Sequence, residues 1–385
     1  MTGSMLHSLA LSAERRWSRL RHGLKRRAGL LGTPIILPYL GFGTAKSLWV
    51  RGRVVEDEGV VSALHSDSLL TNLRLTFRRY ESDEIAGAEL AFEGAGRSGT
   101  ATTDREGFFD FTVEAPDIPA GGAWTHVDLT LTDVPGYDWR PLGASVPVRL
   151  VPPEARFGII SDIDDTIVET GATNLFRHWR TVVANSAESR TAFPGVTHLY
   201  RALTRGEAGP ETNPIFYVSS SPWNLFDLFE RFMRLHAIPV GPMLLRDFGI
   251  DETKWFTGSH DTHKLAMIER VMDAYPHLPF LLIGDSGQRD AAIYAEANRR
   301  HPGRVLAVHI RDVTPEGHSP AVTEALAALR SAGVPVTIGA SLEAAATLSA
   351  EQGLISADAA RAVAEAVGKR RAGIRETPLG ESRNR

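Results

Sequence analysis

Phe157-Gly158-Ile159-Ile160-Ser161-Asp162-Ile163-Asp164-Asp165-Thr166-Ile167 is the stretch from which the fold can be read. A short apolar run ends abruptly in acids and a threonine. Strands of a parallel sheet, buried on both faces, read as near-continuous apolar runs, and ligands gather beyond their carboxyl ends. Asp162 and Asp164 stand two residues apart, so an extended backbone projects them to the same side. Two carboxylates facing one spot repel. The arrangement persists only where a cation, a proton or catalytic work compensates.

Downstream of this strand the pattern repeats. Apolar runs at 157–161, 215–218, 243–245, 280–283, 305–310 and 336–338 read as strands. Helical spacing recurs at 196–203, 225–235, 264–274, 290–299, 341–352 and 357–368. Strands alternating with helices predict a parallel α/β sheet with helices on both faces. Pro152-Pro153 marks its start, so the expected α/β domain covers 152–372, followed by a flexible polar tail over 373–385.

Upstream, residues 34–151 alternate in short runs at 47–55, 73–80, 85–92, 108–113, 127–131 and 146–150. Turn-forming stretches such as Glu93-Gly94-Ala95-Gly96-Arg97 and Asp104-Arg105-Glu106-Gly107 separate them. This predicts an antiparallel β-sandwich, and the run from Thr103 to Phe111 is similar to a hairpin of transthyretin-like sandwiches. Gly41-Phe42-Gly43 with Lys46 lacks the full glycine spacing of a phosphate loop and carries little weight. Residues 1–33 are basic. Ala13, Trp17, Leu20, Leu24, Ala28 and Leu31 form one stripe, and Arg15, Arg16, Arg19, Arg21, Lys25, Arg26 and Arg27 surround it. Over 13–31 this is an amphipathic helix suited to an anionic phospholipid surface or to packing on its own domain, and periodicity leaves both open.

A net charge of -4 excludes a uniformly basic nucleic-acid binder, and no nucleic-acid partner is expected. The absence of cysteine excludes disulfides, thiolate nucleophiles and cysteine-ligated zinc. No run reaches the ~20 apolar residues of a membrane-spanning helix, and the N-terminus lacks the order of a secretory signal. The expectation is a cytoplasmic protein, peripherally attached to a membrane if the basic helix meets one.

Polar groups stand at several of the element ends: Asp162, Asp164 and Thr166, then Ser219, then Lys264, then Asp285 and Asp290. In a doubly wound sheet all strand ends open on one edge, so these groups can converge. Acids, hydroxyls and one lysine describe a hard-cation site such as that of Mg²⁺, with phosphate oxygens completing it. His260-Asp261-Thr262-His263 reads as a polar loop before Lys264 rather than a zinc site, since no third ligand is indicated.

The run Asp162-Ile163-Asp164-Asp165-Thr166, with Ser219, Lys264 and Gly284-Asp285 followed by Asp290, resembles the haloacid dehalogenase (HAD) superfamily of phosphohydrolases. The fuller runs Tyr217-Val218-Ser219-Ser220-Ser221-Pro222 and Gly284-Asp285-Ser286-Gly287-Gln288-Arg289-Asp290 resemble the catalytic domain of actin-patch-associated, Mg²⁺-dependent phosphatidate phosphatases. The resemblance implies an aspartyl-phosphate on Asp162 and general acid–base work by Asp164. It implies phosphoryl binding by Thr166, Ser219 and Lys264. It implies Mg²⁺ held by Asp162, the Asp164 carbonyl and Asp285, with Asp290 behind them. Among the three serines the register of Tyr217-Val218-Ser219 favours Ser219. Asp165 stands where the superfamily most often has glycine and is left out of the catalytic set.

Little chain between Thr170 and Phe193 is left for a lid, so a minimal cap and an open site are expected. Open sites suit large or membrane-embedded substrates. Phe176, Trp179, Arg177 and Arg180 are candidates to border it. The expected activity is phosphatidate hydrolysis to diacylglycerol and phosphate. The alternatives are a phosphatase acting on a phosphoprotein, a nucleic-acid end or a sugar phosphate, and a non-catalytic lipid- or protein-binding module.

Overall fold

The computed structural model describes residues 31–57, 84–118, 122–167, 193–206, 208–246, 260–287, 289–314 and 317–372. The strand expected at 73–80, the border residues Phe176 to Arg180, the tail 373–385 and essentially all of the helix expected at 13–31 lie outside them.

Among the described residues, eight strands form the first sheet: β1 (Thr33–Pro38), β2 (Gly41–Gly43), β3 (Ser47–Asp57), β4 (Glu89–Gly94), β5 (Arg97–Thr102), β6 (Phe108–Glu114), β7 (Trp124–Asp133) and β8 (Gly143–Leu150). Their order is β1-β3-β2-β8-β7-β4-β5, with β6 on β3. In β7, Val127, Leu129 and Leu131 are buried while Asp128, Thr130 and Thr132 are exposed, the alternation of a sheet with one wet face. The β4–β5 hairpin turns through Ala95 and Gly96, at φ 49° and 68°. Two left-handed residues give a tight turn whose twist matches its strands. One pairing departs from the antiparallel expectation: β2 runs parallel to β8, which is open to two strands not joined by a hairpin. Gly41-Phe42-Gly43 is strand, not phosphate loop. A Cβ on Gly41 would lie 2.4 Å from the Trp49 carbonyl oxygen, so the glycine serves close strand approach.

The second sheet has six parallel strands: β9 (Gly158–Ser161), β10 (Ile215–Pro222), β11 (Met243–Arg246), β12 (Phe280–Asp285), β13 (Val305–Arg311) and β14 (Val336–Gly339). Every residue of β9 and β12 is buried, as continuous apolar runs require. The order β11-β10-β9-β12-β13-β14 means that the chain winds outward from β9, then returns to its other side and winds outward again. Among the described residues, seven helices accompany it: α1 (Val196–Thr204), α2 (Phe226–Leu235), α3 (His260–Ala274), α4 (Asp290–Arg300), α5 (Pro320–Ser331), α6 (Glu343–Glu351) and α7 (Ala357–Arg371). Right-handed crossovers place the helices of the two windings on opposite faces. Accordingly α3, α4 and α5 pack in succession, and α7 packs on α1 and α6.

Two local expectations are corrected. His260-Asp261-Thr262-His263 is not a loop but the first turn of α3. The helix α5 was not expected, although Ser319 caps it by accepting from the Val322 amide and Pro320 opens it. Its buried Val322, Ala325, Leu326 and Leu329 follow helical spacing.

Two compact units result. One comprises the described parts of Met1–Pro38, Arg51–Phe111 and Val127–Val146; the other comprises Tyr39–Val50, Thr112–His126 and Pro147–Arg385. Inside the second, residues from well before Pro152 enter the α/β core. The Phe42 ring lies 5.0 Å from Trp49, 5.7 Å from Phe216 and 6.3 Å from Tyr275. The Tyr275 hydroxyl donates to the Gly43 carbonyl (3.1 Å), and Tyr39 stacks on Trp223 at 4.7 Å. Buried Arg149 donates to the carbonyls of Ala123, Leu150 and Glu211.

Candidate active site

Asp162 follows β9 and Asp285 ends β12, the two neighbouring strands between which the winding reverses. This switch point is where an α/β sheet opens a crevice. Asp290 joins them from the first turn of α4. One carboxylate oxygen from each of Asp162, Asp285 and Asp290 lies within 4.8 Å of the others, and all three residues are fully buried. Lys264, on α3, sends its ammonium into the cluster, 2.7 Å from Asp162 Oδ1 and 2.5 Å from Asp290 Oδ1.

The backbone is shaped to admit these groups. Asp290 Oδ2 accepts from the Asp285 amide (3.2 Å), and Asp285 Oδ1 accepts from the Gly287 amide (2.7 Å). A Cβ on Gly284 would lie 2.3 Å from Asp290 Oδ2 and 2.8 Å from the Tyr294 hydroxyl oxygen. Glycine is therefore what lets the Asp290 carboxylate rest against β12. Tyr294 donates to the Ile283 carbonyl (2.7 Å), fixing α4 to the same strand.

The charges do not balance among the protein groups alone. Burial pushes Asp162 well above the ordinary carboxylate range; Lys264 opposes that push, while Asp290, Asp285 and Asp164 add to it. Burial also works against the charge of Lys264, but Asp162 and Asp290 outweigh it and hold the ammonium protonated. Three carboxylates meet one ammonium, an excess of two negative charges if all are ionised. Buried charge of that kind is costly unless compensated. A donor set made only of carboxylate oxygens, spaced to converge, fits a hard divalent cation.

Asp164 faces β10. Its Oδ2 accepts from Ser219 Oγ (2.6 Å) and Ser221 Oγ (2.8 Å), two residues that strand alternation places on one side. The Ser221 amide donates to Ser219 Oγ (2.9 Å), so the pair is itself braced. Asp164 Oδ1 is buried with no hydrogen-bond partner among the described residues. Burial pushes Asp164 above the usual carboxylate range, and the two serine donors hold it back. Thr166, also buried, directs its hydroxyl at Asp162 Oδ2 (3.4 Å). Asp165 sits in the left-handed region at φ 51°.

The sequence-predicted residues thus fall into two groups. Asp162, Lys264, Asp285 and Asp290 converge, with Thr166 beside Asp162. Asp164 and Ser219 form a second group joined by Ser221, whose role as a second clamp the sequence reading passed over. Strand alternation, which pairs Ser219 with Ser221 and turns Ser220 away, was the available signal. Tyr294, four residues after Asp290, was also legible as a same-face neighbour. The Ser161 hydroxyl meets both the Asp162 carbonyl and the Tyr200 hydroxyl at 2.7 Å, a contact with no local signature.

Comparison with known proteins bears on the same residues. Residues 157–312 match the family model described as phosphatidate phosphatase APP1, catalytic domain. A Saccharomyces cerevisiae protein named phosphatidate phosphatase APP1 is 29% identical over 231 residues, 60% of this chain and 36% of that protein. An uncharacterised protein of Schizosaccharomyces pombe is 24% identical over 311 residues, 79% of this chain and 48% of its own length. The chain therefore spans less than half the length of either relative. A solved carbohydrate acetylesterase from Xanthomonas citri aligns over 77% of this chain and 74% of its own at 12% identity, with a TM-score of 0.25, too low to bear on the fold. The α/β region resembles the catalytic domain of APP1-type phosphatidate phosphatases.

Proposed function

We propose that the α/β unit is a HAD-like, Mg²⁺-dependent phosphomonoesterase that converts phosphatidate to diacylglycerol and phosphate. The observation that carries this reading is the convergence of Asp162, Asp285, Asp290 and Lys264 at the switch point. It lies inside the region that matches the phosphatidate phosphatase model. Phosphatidate as substrate rests on that likeness.

Asp162, Asp285 and Asp290 are the residues that would hold the ion, which when bound supplies positive charge against the phosphoryl oxygens. The chain's own groups account for the remaining chemistry. A carboxylate oxygen of Asp162 attacks phosphorus, the phosphorus–ester oxygen bond breaks, and an aspartyl-phosphate forms. Asp164, raised by burial, is protonated more readily than an ordinary carboxyl and gives its proton to the departing alkoxide. It then takes a proton from water, whose oxygen attacks phosphorus and releases phosphate and free Asp162. Lys264 favours the anionic form of Asp162 against the push of burial and offers its charge to the phosphoryl group. Ser219 leaves Asp164 to hold a phosphoryl oxygen, while Ser221 retains the carboxylate.

The basic segment at 13–31 suits delivery to an anionic phospholipid surface. Among the described residues no helix is long and apolar enough to cross a membrane.

The test is phosphate release from phosphatidate vesicles with and without Mg²⁺, beside a soluble phosphopeptide, a 3′-phosphorylated oligonucleotide and a sugar phosphate. Mg²⁺-dependent release that is abolished in folded Asp162→Asn is expected. Full activity of that variant removes the nucleophile assignment, and preference for a soluble ester removes the lipid assignment.

A further inference from the structure

We propose that Arg311 is a positioning residue for the proposed acid–base group, acting through the backbone of Asp165. Arg311 ends β13 and pairs in the ladder with Asp285 of β12. Its guanidinium reaches past the end of β12 to the loop after β9, where Nη1 donates to the Asp165 carbonyl. The same guanidinium lies over the Phe193 ring, and the Phe193 amide donates to the Ile167 carbonyl (3.3 Å), closing the far side of this loop. The loop is thus held at Asp165 and at Ile167.

The turn needs holding. Asp165 occupies φ 51°, where a side-chain-bearing residue is disfavoured and glycine is not. Such a conformation persists only when its surroundings over-determine it. What the turn determines is the direction of the preceding residue. Asp164 must present Oδ2 to Ser219 and Ser221 at 2.6 and 2.8 Å, and a rotation at Asp165 swings that carboxylate away. Burial of Asp165 keeps water from replacing the guanidinium at this point. The influence of Arg311 on Asp164 runs through the Asp165 backbone to which it donates.

This inference rests on the phosphatase reading, and its test separates the two. The full-length chain is assayed on phosphatidate with Mg²⁺ as wild type, R311A, D165G and R311A/D165G. Folding of each is followed by circular dichroism and thermal melting. If Arg311 works by holding the left-handed turn, R311A lowers kcat about 10- to 100-fold with KM little changed, the size of effect that follows a misplacement of about 1 Å. A glycine adopts the turn unaided, so D165G restores at least half of that loss on a logarithmic scale when added to R311A. A packing role for Arg311 on Phe193 predicts no such rescue. R311K, which keeps one donor, falls between wild type and R311A. Undiminished kcat in R311A, or a double variant no better than R311A, overturns the proposal. If R311A does not fold, the same comparison of R311K with R311K/D165G decides by the same signs. An inactive wild type instead overturns the phosphatase reading.

Discussion

Lys264→Met isolates the electrostatics of the site from its chemistry. The ammonium lies 2.7 Å from Asp162 and 2.5 Å from Asp290, with all three side chains buried. Methionine keeps the volume and removes the charge. Breaking a buried pair by deleting one partner costs about 3–5 kcal/mol, because the other charge is left uncompensated. For a unit of this size that corresponds to a fall in melting temperature of about 6–20 °C. The deficit carries a sign in pH. Asp162 already sits above the ordinary carboxylate range through burial, and losing Lys264 raises it further. A carboxyl raised in the folded state binds more protons there than in the unfolded chain, so the variant gains relative stability as pH falls. The deficit is therefore smaller at about pH 5 than at about pH 8, where the carboxylates are ionised. Urea and thermal unfolding, followed by circular dichroism in a chelating buffer, measure it. Adding Asp290→Asn to Lys264→Met should recover part of the loss, since one stranded carboxylate is removed. A deficit below about 1 kcal/mol, or one independent of pH, would refute the buried-cluster reasoning.

Gly284→Ala places a methyl 2.3 Å from Asp290 Oδ2; it should cost about 1–3 kcal/mol in urea unfolding and lower Mg²⁺-dependent turnover, and wild-type behaviour in both would show that the carboxylate has room to move. His309, bonded to Thr337 and Ser349 and buried, is pushed down to about 4 by burial. Because its folded value lies below its unfolded one, the unfolded chain takes the proton first. Stability should fall from about pH 6.5 to about pH 4 by up to roughly 3 kcal/mol, and His309→Asn should flatten that slope in a pH series of melts. Deleting residues 1–30 should weaken co-sedimentation with anionic vesicles and remove most of its salt sensitivity, whereas unchanged binding would assign the basic segment to the protein's own packing.

The central strands of the parallel sheet were legible because burial along their length leaves the apolar run uninterrupted, as in β9 and β12, whereas the edge strand β14 is only half-buried. The acidic cluster was legible for the complementary reason, since Asp162 and Asp285 break such runs where a core would tolerate no charge. Other features follow from relationships that a linear pattern does not carry. Phe42 and Trp49 are buried apolar residues of β2 and β3, but an apolar pattern marks a side chain as buried without naming what buries it. The packing of Phe42 beside Phe216 and Tyr275 is set by tertiary geometry. Asp165 matters through φ; aspartate is enriched among the few side-chain-bearing residues that adopt the left-handed region, but residue type alone does not place such a turn at that point. Ser219 and Ser221 share one acceptor, so register alone does not choose between them.

The intrusion of Tyr39–Val50 into the α/β unit has a consequence for biosynthesis. Translation is vectorial, so Phe42 and Trp49 leave the ribosome long before Phe216 and Tyr275 exist to receive them. A chain arrested in the middle of synthesis displays sticky aromatic surface with no native partner, the situation that invites chaperone capture or aggregation. The later-made strands and helices of this unit must therefore close upon a segment, Tyr39–Val50, that was made well before them.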